Sequence, residues 1–517
     1  MSNQQTLLPS YTDSIILGAG LGGLAMAIKL QEKGRNDFIL IEKGNEVGGT
    51  WRDNSYPGSA CDVQSHLYSY SFTNKWDWQK RYGGWSEIQD YILDTVKEYD
   101  LRPKVRFNLE VNSAVFDKER ALWTVGTTDG QYVNCRFFII ASGSLHHPVI
   151  PDIKGLDTFK GKVMHSARWD HDYDLTNKRV ASIGTGGSAI QYAPEIADSV
   201  SQLDVYQRSA AWVIPRDERH YSKFTKSMFR RFPFLRRLYR ARLYLTNEIR
   251  VWPIFNPKIA NIGGYLAKQF IKLQVKDPEL QKKLTPDYTF GCKRILISNK
   301  WFPMFNKKNV ELITEGIKEI TENSIIDNQG NERPVDAIIL GTGFVVDPRG
   351  YMKNFNLQGL PGHNLLQDWK EGAESYLGNT VYGYPNMFQL VGPNALLGHN
   401  SIIFMIEAQV HYVLQCMQAL DKRNMSYMTV KKEAQDAYNL EVQERLQGTV
   451  WESGCRSWYQ QADGKNFVLW PATTLTFWKR NRSVVEEHYD WVRVNTASNG
   501  EPLQDRPQMT TEEPNAV

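Results

Sequence analysis

The 517-residue chain predicts an α/β fold containing two dinucleotide-binding (Rossmann-like) units, and three observations lead there. A glycine fingerprint, Gly18-Ala19-Gly20-Leu21-Gly22-Gly23, opens the chain, and a second, Gly184-Thr185-Gly186-Gly187-Ser188-Ala189, follows much later. Each stands between a short apolar run and a helix-period pattern, the setting in which such a fingerprint carries information. Two further apolar runs, 137–140 and 337–340, end in Ala141-Ser142-Gly143 and Gly341-Thr342-Gly343. Both read as buried strands whose turns let backbone approach a ligand.

In the first unit, residues 14–17 form a strand and 24–33 a helix, and a second strand at 38–41 ends on Glu42. Gly18 permits the turn, Gly20 lets backbone approach a pyrophosphate, and Gly23 lets the helix lie close to the strand. The helix N-terminus offers free N–H groups and a partial positive charge to phosphate. Glu42 is placed to accept from ribose hydroxyls. Gly48-Gly49-Thr50-Trp51 follows, and the whole resembles FAD-binding proteins of the glutathione-reductase type, which implicates Gly49, Thr50 and Trp51 in cofactor binding.

The second unit runs through a strand at 179–183, Gly184, Gly186 and Ser188, a helix at 189–197, and a strand at 203–207. Arg208-Ser209 stands where a unit selecting NAD carries an acid. An arginine there cannot receive ribose hydroxyls, but its planar fork pairs with a 2′-phosphate, so NADP(H) is the expected cofactor.

Composition excludes several classes. The net charge of +4 gives no overall argument for nucleic acid, and neither a secretory signal nor a membrane span is expected. The apolar stretch 401–420 carries Glu407, Gln409 and His411 and reads as a buried helix. Cys61, Cys135, Cys292, Cys416 and Cys455 are scattered and never spaced C-x-x-C. Neither a metal site nor a disulfide is expected, and a cytoplasmic location follows from that. The same spacing argues against a flavin disulfide reductase.

Between the two units, Phe159, Gly161, His165, Trp169 and Asp170 fit F-x-G-x-x-x-H-x-x-x-W-[P/D]. This segment resembles the signature of the type I Baeyer–Villiger monooxygenases, and the resemblance extends over roughly residues 12–480. It implies FAD, NADPH and O₂, with oxygen inserted beside a ketone carbonyl through an FAD C4a-peroxide to give an ester or lactone, and with sulfides also oxidised. It further implies that Arg294, in Gly291-Cys292-Lys293-Arg294, stabilises the peroxide, with Asp62 as counter-charge. Lys293 would reach the 2′-phosphate beside Arg208, and Tyr68, Tyr70 and Phe72 would line an apolar pocket. His165, Trp169 and Asp170 are expected to position rather than react. Segments 454–459 and 469–471 are candidates for a substrate wall. An N- or S-oxygenating flavin monooxygenase and an NADPH oxidase releasing hydrogen peroxide remain alternatives.

The expected organisation is an FAD-binding domain in two parts, 1–150 and 346–495, around an NADP-binding domain at 151–345. A basic, aromatic-rich helical insert occupies about 216–285, and a disordered tail is expected at 496–517. The insert is expected to pack its aromatics inward and solvate its arginines. Membrane contact is not expected.

Overall fold

The computed structural model describes residues 7–461 and 464–494, so the expected tail at 496–517 lies outside the described residues. The chain starts a sheet, leaves it to build a second, and returns. The opening elements are β1 Tyr11–Leu17, α1 Leu21–Glu32, β2 Phe38–Ile41, α2 Thr50–Asp53 and α3 Trp85–Glu98. β3 Val105–Arg106, β4 Val111–Asp117, β5 Leu122–Thr127 and β6 Tyr132–Ile140 follow. β1 lies parallel between β2 and β6, with Leu17 opposite both Ile41 and Ile140. All four residues of β2 are buried, which is why its sequence is continuously apolar rather than alternating.

The second sheet is wholly parallel, in the order β12-β9-β8-β16-β7. Its members are β7 Lys162–His165, β8 Arg179–Ile183, β9 Gln202–Tyr206, β12 Val310–Ile313 and β16 Ala337–Leu340. Helix α4, Ala189–Ile196, links β8 to β9. Between β9 and β12 lie the paired short strands β10 Val213–Ile214 and β11 Leu296–Ile297. Helices α5 Lys223–Arg231, α6 Pro233–Glu248, α7 Trp252–Phe255, α8 Pro257–Gln274 and α9 Pro278–Leu284 fill the same interval. An antiparallel trio follows, β13 Ile317–Ile320, β14 Ser324–Asp327 and β15 Glu332–Pro334.

The return adds β17 Asn356–Gln358 beside β4 and β18 Met387–Gln389 beside β6; β19 Tyr427–Val430 and β20 Tyr489–Val492 pair separately. The long helix Ile402–Arg423 packs against α1 and stops at Asn424, whose left-handed backbone (φ 53°) caps it. As the sequence predicts, this helix is buried, and among the described residues no helix is long and apolar enough to cross a membrane.

Three expectations are corrected. Cys292 and Cys455 form a disulfide across 163 residues, with Cα atoms 6.3 Å apart, while Cys61, Cys135 and Cys416 are free and buried. Distance in sequence hid the pair, and the inference from cysteine spacing to a reducing compartment loses its premise. Tyr70 does not line a pocket. It is buried, stacked on Phe72 at 4.9 Å, and donates to the Leu21 carbonyl at 2.6 Å. The insert turns only part of its large apolar side chains inward: Phe229, Leu243, Ile254 and Ile271 are buried, but Phe232, Phe234, Leu238 and Trp252 are all exposed.

Candidate active site

The C-terminal ends of β1 and β8 and their glycine turns open into one cavity of about 1540 Å³. That exceeds the few hundred to about 1000 Å³ usual for one ligand and suits two dinucleotides with a substrate. Gly18, at φ +103°, sits where a Cβ would come within 2.7 Å of the Ala141 carbonyl. A Cβ on Gly23 would lie 1.9 Å from the Gly18 carbonyl, so the helix lies this close to the turn only because residue 23 is glycine. Gly20 and Gly186 meet nothing closer than 3.9 and 4.0 Å, which leaves open approach at both turns. Neither α1 nor α4 has a side-chain cap at its first turn, so their N–H groups face the cavity free for phosphate oxygens.

Glu42 lines the cavity but is more engaged than the sequence suggests. Its oxygens accept from Ala19 N at 2.9 Å, Gly44 N at 2.8 Å and Arg52 Nη1 at 2.8 Å. A carboxylate has about four acceptor positions, so one remains for a ribose hydroxyl. Gly49, Thr50 and Trp51 also line the cavity, and Gly49 packs on Gly20. Trp51 Nε1 donates to Tyr68 OH at 3.1 Å, which makes Tyr68 the one member of the predicted aromatic trio that reaches the cavity.

Across the cavity, Gly184, Ser188, Arg208, Ser209 and Lys293 come together from segments up to about a hundred residues apart. Lys293 Nζ donates to Ser209 Oγ at 3.4 Å and sits 4.5 Å over the Tyr288 ring. Burial, and then the neighbouring Arg208 charge, push the Lys293 ammonium pKa down. Neither cation has a carboxylate within 4.0 Å among the described residues. Two neighbouring cations with no carboxylate in ion-pair contact offer charge to an anionic group, although Asp287 acts on Lys293 from farther away.

Arg294 faces the same cavity, and the sequence-predicted partner is in place. Arg294 Nε donates to Asp62 Oδ2 at 3.1 Å and Nη2 donates to the same oxygen. Asp62 raises the guanidinium pKa further, fixing a permanent cation. The side chain is 45% exposed, and that exposure is to the cavity. Arg456, Ser457 and Trp458 line this cavity, whereas Trp470 is fully buried against Phe477 and belongs to the core.

The five-residue motif lies outside the cavity lining. A Cβ on Gly161 would come within 2.5 Å of both the Asp336 carbonyl and the Phe159 ring, so these two motif positions specify each other by packing. His165 Nδ1 accepts from Ala167 N at 3.1 Å, which leaves Nε2–H to donate to the Gly343 carbonyl at 3.1 Å. Burial lowers its pKa, so the ring is neutral and ties β7 to the turn after β16. Trp169 packs on Tyr192 at 5.6 Å. Asp170 accepts from Lys162, and that ammonium holds its carboxyl below the usual range.

Sequence reasoning missed Gln191. Its Oε1 accepts from Tyr56 OH at 2.9 Å and Ala60 N at 3.3 Å, and its Nε2 donates to the Ala60 carbonyl at 2.9 Å. It clamps the Asp62 loop to α4. A glutamine inside a helix pattern carries no local signal of that.

Two glycine turns of the dinucleotide-binding kind opening into one cavity beside a carboxylate-held guanidinium are the arrangement of a dinucleotide-dependent oxidoreductase. Residues 15–232 match the pyridine nucleotide-disulphide oxidoreductase family. The chain is 44% identical over 468 residues to a Baeyer–Villiger monooxygenase of Pseudomonas aeruginosa, covering 89% of this chain and 88% of that one. It is 40% identical over 488 residues to a Baeyer–Villiger monooxygenase of Streptomyces coelicolor, covering 94% and 93%. A solved steroid monooxygenase bound to NADP is 30% identical with a TM-score of 0.85, covering 93% of this chain and 100% of that one. OTEMO, solved in complex with FAD and NADP, is 26% identical with a TM-score of 0.84, covering 93% and 99%. The chain belongs to the Baeyer–Villiger monooxygenases, and it is an FAD- and NADPH-dependent enzyme.

Proposed function

We propose that this cavity inserts one oxygen atom beside a ketone carbonyl to give an ester or lactone, and oxidises sulfides as a second substrate class. One atom of O₂ enters the product; the other leaves as water with the electron pair and proton of NADPH and one solvent proton. The observation that carries this reading is the Arg294–Asp62 pair in the cavity into which both nucleotide cradles open.

Gly18, Gly20, Glu42, Gly49, Thr50 and Trp51 would hold FAD, and Gly184, Gly186, Ser188, Arg208, Ser209 and Lys293 would hold NADP(H). The corresponding architecture is of the glutathione-reductase type, with an FAD domain at 1–150 and 346–495 around an NADP domain at 151–345. The first sheet's recovery of β17 and β18 supports that division. When bound, FAD supplies the redox chemistry, accepting hydride and activating O₂.

Arg294 keeps a positive charge beside the reacting carbonyl, where negative charge develops on oxygen; it serves this because it does not deprotonate. Asp62 fixes which way the guanidinium points. His165, Trp169 and Asp170 position the two units, in keeping with their place outside the cavity lining. Pairing of Lys293 with Arg208 supports NADPH over NADH. Measuring NADPH, O₂ and product together across linear, cyclic and aryl ketones tests the proposal. One ester per NADPH is expected with a preferred ketone. Stoichiometric hydrogen peroxide with every ketone would replace it with the oxidase reading.

A further inference from the structure

We propose that the outer face of the helical insert docks on an anionic lipid bilayer, lying on the surface without crossing it. Twelve of the twenty exposed large hydrophobic side chains among the described residues fall between Phe224 and Leu273. Helix α6 is fastened to the body by one side. Arg240 Nη1 donates to the His66 carbonyl at 2.7 Å, Asn247 Nδ2 to Gln64 at 2.8 Å, and Tyr244 OH meets Thr474 Oγ1 at 2.9 Å. The opposite side carries Phe234, Leu238 and Leu245, and the chain continues it through Ile249 and Trp252. At 100° per residue these five positions fall within a single narrow stripe.

Helix α8 inverts the usual order of a soluble helix. Its buried positions are Ala260, Gly264, Ala267 and Ile271, mostly small, while Ile262, Leu266 and Leu273 point outward at 62%, 61% and 81% exposure. A helix whose bulk faces water has its hydrophobic partner elsewhere.

Charge decides which partner. Between residues 223 and 276 there are thirteen lysines and arginines and one acid, Glu248, so the segment carries +12 while the whole chain carries +4. The remainder is therefore net acidic, and the positive charge is concentrated where the apolar stripe is. Glu248 is itself turned inward, accepting from Thr474 N and Asn400 Nδ2 at 2.7 Å. Exposed Arg237, Arg242, Lys258 and Lys272 border the stripes. Basic rims around an apolar face match a bilayer interface, where the stripe enters the acyl boundary and the cations meet lipid phosphates. Such docking would seat the cavity, whose Asn400 is held by Glu248, near a reservoir of apolar ketones.

Co-sedimentation of the FAD-loaded enzyme with phosphatidylcholine–phosphatidylglycerol vesicles, against pure phosphatidylcholine vesicles, tests this. Binding to the anionic vesicles, weakened by salt, is expected. Leu238→Ser with Leu245→Ser, and separately Arg237→Gln with Arg242→Gln, should each lower the partition coefficient by about tenfold or more. Both should keep wild-type turnover of a water-soluble ketone, which shows that they fold. No sedimentation with anionic vesicles, equal binding to neutral ones, or binding indifferent to both pairs of substitutions overturns the proposal. So does a dimer, seen by light scattering, that the leucine substitutions dissociate while the enzyme ignores vesicles; the face would then join two copies of this chain.

Discussion

Replacing Arg294 with alanine removes the fixed cation and leaves Asp62 facing the cavity unpaired. At the 3.1 Å of Nε and Oδ2, an effective dielectric of about 20 gives a gross attraction of about 5 kcal/mol. Cavity water and the cost of ordering the side chain reduce the net effect on stability to about 1–3 kcal/mol. The catalytic effect is separate, because the cation is asked to stabilise charge that exists only in the transition state. Loss of one such preorganised donor costs about 10²–10³ in rate. Ester formation by Arg294→Ala should therefore fall by that factor while NADPH consumption is largely retained, the balance appearing as hydrogen peroxide. Asp62→Ala keeps the charge and loses only its orientation, so it should fall by less. Gas chromatography of the ester alongside NADPH absorbance reads both quantities. Wild-type ester yield per NADPH from Arg294→Ala would refute the reasoning, whatever its melting temperature.

Arg208→Ala should raise the KM for NADPH by about 10–100-fold, the value of one charge-assisted hydrogen bond, and leave that for NADH nearly unchanged; equal effects on both cofactors would remove the 2′-phosphate assignment. Burial pushes the Glu248 carboxyl up, but hydrogen bonds from His399, Asn400 and Thr474 outweigh it and hold the pKa at about 2. Since the folded value lies below the unfolded one, about 3 kcal/mol of stability is present above about pH 4.5 and is lost as pH falls towards 2. Glu248→Gln should flatten the acid limb of a melting-temperature profile in that window, and an unchanged limb counts against the assignment. Thiol titration of the denatured, unreduced protein should return three thiols, from Cys61, Cys135 and Cys416; five would exclude the disulfide. With 163 residues between its ends, opening it by Cys455→Ser should destabilise by up to about 5 kcal/mol, seen as a lower melting temperature.

Local physics made much of this chain readable in one dimension. The strands at 38–41, 179–183 and 337–340 carry the predicted bounds; in the first and last, burial on both faces demands a continuous apolar run. The turn at Gly18 was legible because a positive φ against a neighbouring carbonyl admits no side chain; Arg208 was singled out because an arginine there can pair with a 2′-phosphate, the reading proposed above. The Asp62–Arg294 pair was reached only through family resemblance, since two charges 232 residues apart leave no periodic trace.

Tertiary structure alone decided the rest. It joined Cys292 to Cys455, set Gln191 as the clamp between α4 and the Asp62 loop, and took three of Glu42's acceptor positions for Ala19, Gly44 and Arg52. It also turned the bulky faces of α6 and α8 outward. Amphipathic spacing tells that a helix has two faces; which one meets the body depends on what the body offers. Here the body offers hydrogen-bond partners for Arg240 and Asn247 and close-packing room for Gly264, so the large apolar faces are left for something else.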